Sequence, residues 1–214
     1  MTDYLPSLPV FLAFASAAVL LALTPGPDMV YFVGRTLAGG VKAGIAAFAG
    51  AGAGLVVHSV LVAVGLAALL AASATAFVVL KVVGALYLLW LAFQTVRHGS
   101  SVRFEANGRS GQSLAATFMG GLAINLLNPK IIIFFMTFLP QFVDAHDPHA
   151  MGRLLVLGIG FIVVAAPVCL GLILAADRFA AALRRSPRIL RVFDWLFAGL
   201  MASFAVRLIA ARAG

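Results

Sequence analysis

Two short runs in this chain set helix-breaking prolines beside polar and charged side chains within apolar sequence. The first is Leu23-Thr24-Pro25-Gly26-Pro27-Asp28, and the second is Asn125-Leu126-Leu127-Asn128-Pro129-Lys130. Proline has no N–H, and its ring clashes with the carbonyl four residues earlier. Pro25, Pro27 and Pro129 therefore leave the carbonyls of Leu21, Leu23 and Asn125 without their usual partners. After each break a new half-helix can begin. Asn128 suits an N-cap with Pro129 at the first helical position, and Thr24-Pro25 or Gly26-Pro27 can serve the same role in the first run. Half-helix N-termini carry partial positive charge and free N–H groups, which suit a carboxylate. Asp28 and Lys130 add opposite charges at matching positions. A zwitterionic amino acid would need an acceptor for its ammonium, which Asp28 supplies, and donors for its carboxylate, which Lys130 and the half-helix N-termini supply. The alternative is an Asp28–Lys130 salt bridge that only locks two halves of the molecule together.

The elements around these residues must be membrane helices. Of 214 residues, 63% are hydrophobic and 10% charged, with a mean hydropathy of +1.10. A soluble domain is about 45–50% apolar and about 25% charged. The net charge of +8 would suit nucleic acid in a soluble chain, but no basic face with stacking aromatics accompanies it. Here the positive residues fall in short connections between apolar runs, where they set topology and meet anionic lipid. Cys169 is the single cysteine, which rules out an intrachain disulfide, a redox pair or a thiolate metal cluster. The first basic residue is Arg35, so the apolar run from Leu5 to Leu23 lacks the positive flank of a cleaved signal peptide.

A helix needs about 20 apolar residues to cross the hydrocarbon core. The apolar runs give six expected spans: Leu8–Val33, Gly44–Leu70, Thr75–Val96, Leu114–Phe142, Leu154–Ala176 and Leu190–Ala210. The expected fold is an all-α integral membrane bundle forming one unit over residues 1–214. Alternate connections carry Arg35 and Lys42, then Arg97, Arg103 and Arg109, then Arg178, Arg184, Arg185, Arg188 and Arg191, against only Arg153 in the others. The positive-inside rule then places both termini outside. Arg207 and Arg212 lean the other way, which keeps a missing or re-entrant span as the alternative. The two breaks, and the pairs Gly50/Gly52 and Gly158/Gly160, recur about half a chain apart. With three spans per half, approximately 1–100 and 110–214, the second copy runs opposite to the first, so the pattern reads as a 3+3 inverted repeat with broken helices 1 and 4. Irregular backbone at membrane depth is tolerated only where it is buried in protein or lines a cavity, and paired broken helices point to a transporter's binding site.

At these residues the chain resembles the LysE/RhtB family of bacterial amino acid exporters. The match rests on L-T-P-G-P-D at Leu23–Asp28 and N-L-L-N-P-K at Asn125–Lys130, followed by F-F-M-T-F-L-P-Q-F-V at Phe134–Val143. Lys81-Val-Val-Gly84-Ala85-Leu86-Tyr87-Leu88, with Trp90, is similar as well. The resemblance implies multi-pass placement in the bacterial inner membrane. It also implies efflux of amino acids or their derivatives, driven by proton motive force. Thr24, Pro25, Gly26, Pro27, Asp28, Asn125, Asn128, Pro129 and Lys130 are then the expected substrate-binding residues.

Coupling and gating candidates are Asp28, His58 and Lys81. A charge at a helix centre costs roughly 2.5–3.5 kcal/mol on the translocon scale, so Asp28 needs a partner, a cavity or a substrate. His58 sits mid-span and can titrate near neutrality; the plainer reading is a neutral histidine hydrogen-bonded across helices. Lys81 either faces inward or snorkels to the interface. Asp194 with Arg191 reads as an interfacial salt bridge, and His146 and His149 as a polar loop rather than a metal site. No nucleophile–base constellation, cofactor motif or metal motif accompanies the spans, so an enzyme is not expected. The expected partners are an amino acid, protons, membrane lipid and, as an option, further copies of the chain. A passive channel or uniporter and a metal-cation exporter are the competing functions.

Overall fold

The computed structural model describes residues 6–98, 112–144 and 147–185, together with positions 191–192, 195–196, 198–199 and 202–203. Helix α1 (Leu8–Leu23) ends at Thr24, where both the backbone N–H and the side-chain hydroxyl donate to the Leu20 carbonyl, at 2.9 and 2.7 Å. Helix α2 (Pro27–Ala72) starts after Gly26 in an extended conformation, with Pro27 at its first position and no side-chain cap. Its run is interrupted at Gly40, whose φ of 78° and ψ of 178° are not helical. Residues 27–39 and 41–72 are therefore two helices joined at one corner. Nothing lies within 4 Å of a Cβ added at Gly40, so the positive φ is what calls for glycine there.

Helix α3 (Ala74–His98) follows directly. Helix α4 (Leu114–Leu126) is capped by Ser113, whose hydroxyl accepts from the Ala116 N–H at 3.2 Å. Helix α5 (Pro129–Phe138) is capped by Asn128, whose side chain accepts from the Lys130 N–H at 3.0 Å. A 3-10 turn (Leu139–Phe142) extends it, and the path bends by 52° between α4 and this extended segment. Helix α6 (Ala150–Leu174) carries Pro167 in its interior, and α7 (Ala176–Arg185) follows without a linker. No strand occurs among the described residues.

Helix α2 is the hub, packing against α4 and α6. Its approach to α4 is backbone to backbone: a methyl at Gly50 would collide with the Phe118 carbonyl, and one at Gly121 with the Ala47 carbonyl. Small residues permit such contact where apolar burial against lipid gives no drive for association. Two apolar clusters flank the breaks. One joins α1, α5 and the first half of α6 through Phe14, Phe134, Phe135, Phe138 and Phe161. Its rings stack closely, with Phe134 and Phe138 4.4 Å apart at their centroids and Phe134 and Phe161 5.6 Å apart. The other joins the start of α2 to the end of α6 through Met29, Phe32, Val33, Cys169 and Ile173.

By length and composition, Pro27–Leu69 and Ala150–Leu174 can each cross a membrane, and the bent pair Leu114–Leu126 with Pro129–Phe142 passes as a third, broken span. Leu8–Leu23 is a shorter apolar helix. The expected first span, Leu8–Val33, is thus divided: its first part is α1 and its second the opening of α2. The expected fourth span is divided in the same manner at Leu127–Asn128. Most of the expected sixth span lies outside the described residues, as do Asp194 and His146.

Candidate functional site

The two breaks meet. Pro27-Asp28 opens α2 and Pro129-Lys130 opens α5, so each charged residue occupies the second position of a half-helix. Between them lies a cavity of about 60 Å³ lined by Leu21, Thr24, Gly26, Asp28, Asn125, Asn128 and Lys130 from the breaks. Phe32, Phe48 and Leu55 of α2 and Phe161, Ile162, Ala165 and Cys169 of α6 form apolar walls. A few water molecules fill such a space.

The polar groups form a connected set. Asn125 Nδ2 donates to Asp28 Oδ2 at 2.9 Å, and the Asn125 backbone carbonyl lies 3.3 Å from His58 Nε2. His58, Asn125 and Asp28 are thereby joined in one chain. Lys130 lines the same cavity, and its ammonium donates to the Thr24 carbonyl at 2.7 Å and reaches the Leu21 carbonyl at 3.4 Å. Leu21 is one of the carbonyls that the prolines deprive of a helical partner. Among the described residues no ion pair joins Asp28 to Lys130, so no salt bridge between them locks the two halves. Three polar atoms remain buried and unpartnered: Asp28 Oδ1, Asn125 Oδ1 and Asn128 Nδ2. Asn125 is 1% exposed and Asn128 2%. An unsatisfied buried polar atom costs about 1–3 kcal/mol, a cost that a water or solute bonded there would offset.

Six of the nine expected binding residues line this cavity. Pro25, Pro27 and Pro129 do not; they set the breaks that shape it. His58 is also outside the lining and touches it through Asn125. Lys81 belongs elsewhere, where its ammonium donates to the Val143 carbonyl at 3.0 Å and ties α3 to the end of the 3-10 turn. Gln141 reinforces that tie by donating to the Lys81 carbonyl at 3.3 Å. The wall from α6 was not anticipated. Phe161, Ala165 and Cys169 recur every four residues, a signal that any buried helix face also gives.

A family model described as LysE type translocator matches residues 19–212. The chain belongs to this family. It is a membrane transporter, not an enzyme. Over 204 residues it is 34% identical to an uncharacterized membrane protein of Vibrio cholerae serotype O1, covering 95% of this chain and 98% of that one. It is 32% identical over 200 residues to the homoserine/homoserine lactone efflux protein of Salmonella typhimurium, covering 94% and 96%. A leucine efflux protein of Klebsiella pneumoniae is 32% identical over 136 residues, 64% of each chain. No solved structure matches.

Proposed function

We propose that this translocator exports small amino acids or their derivatives across the bacterial inner membrane as a proton-driven secondary transporter, with the cavity at the paired breaks as its binding site. The observation that carries the reading is the meeting of two interrupted helices around buried, unpartnered polar atoms. Relatives named for homoserine, homoserine lactone and leucine efflux supply the substrate class. The equivalent positions of Asp28 and Lys130, each one residue past a proline that opens a half-helix, favour a 3+3 inverted repeat of six spans.

Alternation between the two sides requires the half-helices to move relative to one another around a fixed site. Phe161 of the ring cluster lines the cavity on one side, and Met29, Phe32 and Phe48 line it as well. Asp28 is the group best placed to exchange a proton for the ligand's ammonium, because both would occupy the same carboxylate. Asn125 joins Asp28 at the start of α2 to His58 in its later part, past the Gly40 corner.

Purified protein in liposomes tests this. An inward proton gradient should drive uphill export of L-homoserine or L-leucine, and Asp28→Asn should remove the gradient's effect. Transport that ignores the gradient would replace this reading with a uniporter or pore.

A further inference from the structure

Away from the paired breaks, two cavities adjoin along the seam of α1 and α6, and their walls differ in chemistry. One, of about 210 Å³, lies where both helices begin and is lined by Pro6, Ser7, Val10, Phe142, Arg153 and Leu157. The other, of about 470 Å³, runs deeper between Phe11 and Phe14 of α1 and Leu155, Ile159, Gly160 and Val163 of α6. Pro6 and Leu157 border both. No polar side chain lines the deeper groove, and Phe11, Ile159 and Val163 are exposed. From Leu155 to Val164 the helix rises about 14 Å. That is close to half of the ~30 Å hydrocarbon core, the depth of one leaflet.

Arg153 is the charged group of the smaller cavity. Its Nε donates to Asp147 at 2.9 Å, and Asp147 accepts in turn from the His149 N–H at 2.8 Å. These bonds hold the guanidinium in place while its side chain stays 36% exposed. Nε is one of the five donors that the group carries. Asp147 balances its charge, so what Arg153 offers a ligand is a directed bond rather than a bare positive field. Phosphate is a good acceptor for such a bond.

We propose that this seam binds one diacyl phospholipid, its phosphate accepting from Arg153 and an acyl chain lying in the groove between α1 and α6. Head and tail occur in the order in which the walls change: a charged donor where the helices begin, then apolar surface for the depth of a leaflet. The bound chain braces the ring cluster from outside. Phe14 lines the groove and stacks on Phe138 of α5, and Phe142 of the upper cavity meets Phe14 edge-on.

Native mass spectrometry of the delipidated full-length protein tests this. The probes are palmitoyl-oleoyl phosphatidylethanolamine, the corresponding phosphatidylglycerol and the diacylglycerol with the same chains. The two phospholipids should bind as single adducts within about threefold of one another. Diacylglycerol should bind at least about tenfold more weakly, the effect of losing a charge-assisted hydrogen bond. Diacylglycerol binding as tightly as the phospholipids overturns the phosphate contact, and no adduct with any probe overturns the site. Glycerophosphate at equal concentration should not displace the phospholipid; displacement would make this a site for soluble phosphate and overturn the lipid assignment.

Two variants separate head from tail. Arg153→Gln should weaken both phospholipids by about tenfold or more and leave diacylglycerol unchanged; unweakened phospholipid binding overturns the role of Arg153. Gly160→Leu fills the groove. The Cβ added there meets only a Phe14 ring carbon, at 3.8 Å, so the larger side chain extends into the cavity. It should remove every lipid adduct, and adducts that persist overturn the tail site. A wild-type dimer that Gly160→Leu converts to monomer would give the groove to a second copy of the chain and overturn the proposal. The wild-type series and Gly160→Leu decide the matter should Arg153→Gln, which leaves Asp147 without its bond, fail to fold.

Discussion

Substitution of Gly54 by alanine tests whether the close approach of α2 to α4 positions the binding groups. A Cβ at Gly54 would stand 2.5 Å from Asn125 Oδ1, 2.9 Å from its Cβ and 3.0 Å from its Cγ. Ordinary contact between carbons is about 3.5–4.0 Å, so Asn125 must retreat by about 1 Å. Rotating the amide does not relieve a clash with Cβ, which the α4 backbone holds. The retreat stretches the 2.9 Å bond to Asp28 and the 3.3 Å contact with His58. Overpacking of this kind costs about 1–3 kcal/mol of stability. Loss of a hydrogen bond to a charged group costs about 1.5–3 kcal/mol, which weakens ligand binding about 10- to 100-fold. Gly52 is the control, because nothing lies within 4 Å of its added Cβ. Counterflow of radiolabelled L-leucine and L-homoserine in liposomes, alongside thermal denaturation in detergent, reads both effects. Gly54→Ala transporting within about threefold of Gly52→Ala would refute the coupling of helix packing to the site.

Asp28→Asn should abolish export while leaving membrane insertion and monodispersity intact, since an amide keeps the side chain's size but cannot hold the ligand's charge; near-normal transport would remove Asp28 from the site. Gly40→Ala forces a side chain into positive φ and should cost about 1–2 kcal/mol, seen as a lower midpoint in thermal denaturation; an unchanged midpoint would argue against the corner. Reporter fusions after Gly108 and after Ser186 should both give cytoplasmic signals, from the arginine-rich connections. A periplasmic signal at either overturns the orientation.

The breaks were legible because proline chemistry is local. Pro129 after Asn128 predicts a capped half-helix, and the structure has that cap. The helical, membrane-embedded class follows as directly from hydropathy. What Lys130 does was not legible. Its sequence neighbours show a charge beside a proline, but the choice between a ligand, Asp28 and the α1 carbonyls is made by a fold that brings residues more than a hundred positions apart into contact. The α6 wall and the Lys81 tie to Val143 depend on tertiary placement in the same way. Gly40 lies in the connection expected between the first two spans, and its positive φ makes the corner there.

Each broken helix is completed by the other one, and this bears on how the chain is made. Asp28 takes its hydrogen bond from Asn125, while Lys130 is satisfied by carbonyls of Leu21 and Thr24. A chain synthesised only through His98 lacks the partners that Asn125 and Lys130 supply to Asp28, Leu21 and Thr24. A truncated chain ending before Asn125 should remain bound to insertion factors or be degraded, whereas the two segments expressed separately carry complementary ends that can find each other. The reciprocal bonds thus make each break depend on residues about a hundred positions away in the chain.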